Sequence, residues 1–117
     1  MRRIALILLV IGAAVAGGDV TGDGCPDLLY GVPGYGSGHG YAGLYGCAGD
    51  LSGTTAAEGA DARFIETDAG SKAGAAVHAS ADLDGNGRAE VIVGAPENNG
   101  AGPSGAGAVY VVFGKEL

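Results

Sequence analysis

DVTGDGCPD, residues 19–27, returns as DLDGNGRAE, residues 82–90, after an offset of 63. Oxygen-bearing side chains stand at positions 1, 3, 5 and 9 of each copy: Asp19, Thr21, Asp23 and Asp27 in the first, Asp82, Asp84, Asn86 and Glu90 in the second. Position 6 is glycine in both, Gly24 and Gly87. Alternate residues of a tightly curled loop point their oxygens inward, and glycine permits the sharp turn. The pattern predicts an oxygen cage for a hard cation in each copy. Calcium suits this donor set, since it takes about six to eight oxygens at roughly 2.3–2.6 Å. Position 7, Cys25 or Arg88, would give a backbone carbonyl and so demands no special side chain.

The EF-hand loop begins the same way, but it needs a bidentate Glu at position 12 and a following helix. Position 12 is Tyr30 in one copy and Val93 in the other. Both loops run instead into short apolar segments, DLLYGVP (27–33) and EVIVGAP (90–96), which read as buried strands. Each strand stops at Gly-x-Pro, Gly31 to Pro33 and Gly94 to Pro96, and passes a glycine-rich loop. The chain then resumes as a strand, YAGLYG (41–46) or GAVYVVFG (107–114).

Those residues resemble the FG-GAP repeats of integrin alpha-chain β-propellers and of many bacterial and archaeal surface proteins. The second copy carries the whole series in order: GAAVHASA (74–81), the cation loop, EVIVGAP with Gly94, Ala95 and Pro96, then GAVYVVFG. The first carries the loop, Gly31 and Pro33 with Val32 in place of the usual alanine, and a weaker LYG. The resemblance implies an all-β chain, a partial β-propeller of about one and a half to two blades of antiparallel strands. Seven such blades make a ring in that family, and at this period they would need roughly 440 residues. The chain is therefore expected to be a fragment or to assemble with others, because its terminal strands would present unpaired edges.

Glycine recurs at matched places, 24 and 87, 31 and 94, 46 and 114, as turns between strands require. With 25 glycines among 117 residues this register, rather than composition, separates the chain from low-complexity sequence. A formal charge of −7 with six Lys and Arg offers no electrostatic footprint for nucleic acid or anionic lipid; cations are the natural partners.

Residues 1–16, MRRIALILLVIGAAVA, have a basic start at Arg2 and Arg3, an uncharged run, and Ala14, Val15 and Ala16 as a small-residue cleavage site. They read as a secretory signal peptide, which predicts a secreted or cell-surface protein with no transmembrane span after cleavage. The expected division is a leader over 1–16, repeat one over 17–70 and repeat two over 71–117. A competing reading comes from GAAV, which occurs at 12–15 and again at 74–77, one residue out of step with the loops. Residues 10–18 could then be the opening strand of repeat one. If the leader is removed, loop one is left without that strand.

Cys25 and Cys47 allow one pair, which secretion would permit, though spacing alone cannot bring their Cα atoms within range. Gly38, Gly40 and Gly43 match the dinucleotide fingerprint, but no helix or βαβ unit follows to confirm it. GYGSGHG (34–40) reads as a loop. Residues 47–62 read as a long turn, with a helix over 54–62 weakened by Gly53 and Gly59, ahead of a strand at ARFIET (62–67). His39 and His78 stand in no zinc-hydrolase arrangement, and no Ser, His and acid spacing suggests a nucleophile. Tyr30, Tyr35, Tyr41, Tyr45 and Tyr110 are expected to pack. The reading is a non-enzymatic, calcium-binding module for adhesion or protein interaction, including self-association. The alternative is the accessory propeller segment of a secreted hydrolase.

Overall fold

The computed structural model describes residues 5–8, 14–47, 53–56, 60–65, 69–98 and 105–114, with backbone path alone for 5–8 and 53–56. The strands are β1 (Ala5–Leu8), β2 (Val15–Gly18), β3 (Asp27–Val32), β4 (Tyr41–Tyr45), β5 (Gly53–Ala56), β6 (Ala62–Ile65), β7 (Ala76–His78), β8 (Val91–Ala95) and β9 (Ala108–Val112). A four-residue helical turn, α1 (Tyr35–Gly38), lies between β3 and β4, where the sequence reads as plain loop. Its dihedrals break at Gly36 and Ser37, so it is a kinked turn in a glycine-rich connection rather than a regular helix. No helix among the described residues is long and apolar enough to cross a membrane.

Two antiparallel sheets carry the fold, in the orders β2-β3-β4-β6 and β7-β8-β9, and they do not close on each other. They are two neighbouring blades of an open propeller, as expected. The sequence repeat explains their likeness: β3 and β8 follow the two acidic loops, and both pair with the strand before the loop and the strand after the Gly-x-Pro stop. Repeat one does have its opening strand, because Val15 pairs with Tyr30 and Gly18 with Asp27. The expected cleavage after Ala16 falls inside that strand. Most of the expected leader, residues 1–4 and 9–13, lies outside the described residues.

The expected long turn over 47–62 contains β5, which pairs in parallel with β1. Residues 48–52 and 57–59 lie outside the described set, and so do Glu66 and Thr67 of the ARFIET strand. Thr54 to Ala56 are strand rather than helix. β-branched threonines favour that outcome.

The core forms between the blades. Leu29, Ala42 and Leu44 from the first sheet meet Val91, Val93 and Ala95 from the second, with Val20 and Ala79 closing the loop end. Each buried Val or Leu contributes about 1.5–3 kcal/mol relative to exposure. The period-2 alternation of β3 sends Leu29 to this core and Tyr30 to the opposite face of the sheet. Both sides of β3 are therefore covered, as its unbroken apolar run requires.

On the opposite face Tyr30 stacks against Tyr45 at 6.0 Å and meets Tyr41 edge-on at 6.1 Å. The Arg63 guanidinium sits over Tyr41 at 4.6 Å and over Tyr35 at 5.3 Å. Burial, together with hydrogen bonding to Tyr41, pushes the Tyr30 hydroxyl well above the ordinary tyrosine range. Tyr30, Tyr41 and Tyr45 thus act as packing residues, whereas Tyr35 and Tyr110 are 41% and 40% exposed.

Candidate cation loops

The two loops curl by the same local hydrogen bonds. Asp19 accepts the amides of Gly22 at 2.8 Å and Gly24 at 2.9 Å, and Asp82 accepts those of Gly85 at 2.8 Å and Gly87 at 2.9 Å. Position 5 caps position 7 in each: the Cys25 amide donates to Asp23 and the Arg88 amide to Asn86, both at 2.9 Å. Gly24 and Gly87 lie at φ 81° and 88°, which a side chain would resist. The position 1 acid thus organises the turn before any ion is considered. Amides of Gly87, Gly85 and Asn86 hold the Asp82 carboxyl below its ordinary value of 3.8.

The position 9 acids are buried at the base of the loops, Asp27 at 1% and Glu90 at 0% exposure. Each ties its loop to the strand that follows the Gly-x-Pro connection. Asp27 Oδ2 accepts the amides of Val20 and Thr21 at 2.8 and 2.9 Å, and its Oδ1 accepts the amide of Cys47 at 2.8 Å. Glu90 accepts the Leu83 amide on Oε2 and the Gly114 amide on Oε1, the latter at 3.3 Å. Cys47 and Gly114 therefore occupy the same place, two residues past β4 and β9. This replaces the expected match of Gly46 with Gly114, because the connection in repeat two is four residues longer.

The loops differ in what they gather. Asp82, Asp84 and Glu90 each bring a carboxylate oxygen within 4.8 Å of the others. No other group of three metal-ligating side chains comes together among the described residues. In loop one the Thr21 hydroxyl turns onto Asp27, at 3.2 and 3.4 Å from its two oxygens. Asp27 is thereby taken up by four donors from Val20, Thr21 and Cys47. The loop two donor set fits a hard divalent cation, because it is all oxygen, triply acidic and open to solvent at Asp82 and Asp84.

Cys25 and Cys47 form a disulfide with Cα atoms 4.9 Å apart, which closes the pairing that spacing leaves open. Arg88, expected to matter only through its backbone, lies across Gly22 of loop one and donates from Nη1 to the Gly114 carbonyl at 3.4 Å. The Cys47 and Gly114 amides and the Arg88 side chain escape the sequence reading. The matched glycines place residue 46 rather than 47 at that corner. The His78 ring hydrogen-bonds to Ser80 Oγ at 2.9 Å.

A family model described as FG-GAP repeat matches residues 11–44 and 73–112, more than half of the chain. Each match takes in one candidate cation loop and the three antiparallel strands around it. No curated protein matches the chain.

Proposed function

Because the chain belongs to the FG-GAP repeat family, we propose that it is an exported, calcium-stabilised segment of an integrin-like propeller that serves protein interaction or adhesion and carries no catalytic site of its own. The observation that carries the calcium part is the convergence of Asp82, Asp84 and Glu90 in loop two. Asp82, Asp84 and Glu90, with Asn86 and the Arg88 carbonyl, are the proposed ligands there. Asp19, Thr21, Asp23, the Cys25 carbonyl and Asp27 are the weaker set in loop one, where Asp27 and Thr21 are already engaged with each other. A calcium ion in either loop would supply charge neutralisation and a tie between strands. The residues themselves fix the turn, bury the position 9 acid and join β8 to β9.

The interaction part rests on β9. Val109, Tyr110 and Val111 are 69, 40 and 43% exposed, whereas β4, its counterpart in the first sheet, is buried throughout and is flanked in its sheet by β6. A cleft of about 290 Å³ beside it is lined by Phe64, Ile65, Ala73, Val93, Tyr110 and Val112. Among the described residues no charge or proline guards this edge, the usual protection against strand addition. Association with another protein or a second copy is the proposed role.

Export is proposed from the leader pattern of residues 1–16, with repeat one from 17 to 70 and repeat two from 71 to 117; the family match overlaps that leader from residue 11. The Cys25–Cys47 bridge supports an oxidising destination. The test is thermal unfolding of the exported protein in chelator and in millimolar calcium, with its intact mass. A ligand at a hundredfold above Kd stabilises by about 2.7 kcal/mol. Chelation should lower the melting temperature by several degrees, Asp82→Ala should remove most of that difference, and the mass should place the first residue at Gly17. Identical melting in both buffers would end the calcium reading.

A further inference from the structure

We propose that two copies of this chain join through β6 and β9 at once, each copy laying its β6 beside the other's β9 so that both sheets continue across the pair. The proposal rests on the interaction reading above and names a second copy as the partner.

Both strands stand last in their sheets among the described residues, and both border one cleft. The first sheet has four strands and the second three, so β6 carries the first sheet one place beyond β4, the strand that β9 matches. The cleft of about 290 Å³ lies at this step, with Phe64 and Ile65 of β6 on one side and Tyr110 and Val112 of β9 on the other. Exposed apolar side chains gather at the same place. Of the seven large hydrophobics exposed among the described residues, four are on these two strands: Ile65, Val109, Tyr110 and Val111. Single exposed hydrophobics need no explanation, whereas a cluster beside an apolar cleft marks an interaction surface.

A step one strand wide is self-complementary. Turning a second copy by a half-turn about an axis parallel to the strands brings its β6 beside β9, in the plane of the second sheet. The same turn brings its β9 beside β6, in the plane of the first. Each sheet then reads β7-β8-β9 followed by β6, β4, β3 and β2 of the second copy. The two-fold operation makes the contact twice, closes the pair and leaves neither strand as an edge. Pairing β9 with β9 lacks this fit, because the β6 strands of the two copies would then fall in one layer and collide.

The first sheet supplies the pattern for the joint. There β6 lies antiparallel to β4 and turns Ala62 and Phe64 to the core between the sheets. On β9 the side chains turned that way are Tyr110 and Val112. One antiparallel register matches these faces and keeps all four residues of β6 against β9: Phe64 of the second copy opposite Tyr110, and Ala62 opposite Val112. Ile65 then meets Val109 on the outer face, and the aliphatic stem of Arg63 covers Val111.

Sedimentation velocity of the oxidised full chain should show a monomer–dimer equilibrium. Ile65→Lys should weaken the dimer by about 10-fold or more, because the changed pair occurs twice in the interface. Its side chain is half-exposed, so the melting temperature of the monomer should hold. A mixture of Val109→Cys and Ile65→Cys chains should form an inter-chain disulfide on mild oxidation, since directly opposed residues lie within bridging range, and neither variant should do so alone. Amides of β6 and β9 should gain protection from hydrogen exchange as concentration rises. Cross-linking of Val109→Cys with Val111→Cys chains instead, or association that Ile65→Lys leaves unchanged, would overturn this pairing while the interaction reading stands. A chain that is monomeric at every concentration would overturn both.

Discussion

Gly31 and Gly94 stand at the same position of the two repeats, and alanine should have opposite effects at them. A Cβ on Gly31 would come within 1.9 Å of the Gly74 carbonyl oxygen and 2.7 Å of its carbon, both backbone atoms of the second sheet's leading segment. Moving that oxygen out to 3.0 Å would push the second sheet away by about 1 Å across the Leu29 to Val93 core. Overpacking of this kind costs about 1–3 kcal/mol and occasionally more. A rigid carbonyl against a packed interface belongs at the upper end. A Cβ on Gly94 would meet nothing closer than Ala76 at 3.6 Å, an ordinary contact. Neither glycine has a positive φ, so alanine is conformationally allowed at both. Gly94→Ala should therefore be neutral or stabilise by about 0.4–1 kcal/mol through the unfolded chain. For a chain of this size about 3 kcal/mol is roughly 12–24 °C of melting temperature. Urea unfolding followed by circular dichroism, in oxidised protein and fixed calcium, would read both changes as shifts in midpoint at constant slope. Equal losses at the two positions, or a tolerated Gly31→Ala, would refute the close packing of one blade on the next.

Two further outcomes follow from the loops and from β9, the last strand of its sheet among the described residues. Because backbone amides hold the Asp82 carboxyl below 3.8, its contribution is present above that value and is lost as pH falls through the lower folded-state value. Acid titration of stability should show this loss in calcium-free protein, and Asp82→Asn should flatten that part of the curve. An unchanged curve would argue against the amide cage. Val109→Lys with Val111→Lys should reduce concentration-dependent association in sedimentation velocity while shifting stability by no more than about 0.5 kcal/mol, as both side chains are exposed. A parent chain that stays monomeric at every concentration would remove the case for association through β9.

What the sequence by itself determined is what depends on neighbours along the chain. The curl of each loop comes from amides donating to acids two to five residues away, so the spacing of Asp19, Asp23, Gly24 and their partners in the second copy suffices to read it. β3, β4, β8 and β9 are legible for the same reason, as apolar runs bounded by acidic loops and Gly-x-Pro. The leading strand of repeat one is the harder one to read: β2 overlaps residues that also make a leader pattern, and only its pairing with β3 places it in the fold. The tertiary structure alone decided that Cys25 meets Cys47, that the Asp27 carboxylate is occupied by Thr21 and Cys47, that Arg88 reaches Gly114, and that Gly31 but not Gly94 faces a neighbouring carbonyl. Each joins residues 6 to 43 positions apart across a strand turn or between sheets. Such distances depend on how the sheets stack and how long each connection runs. The repeat constrains neither quantity: the strands before and after the loops are displaced by one and by four residues relative to the 63-residue offset of the loops themselves.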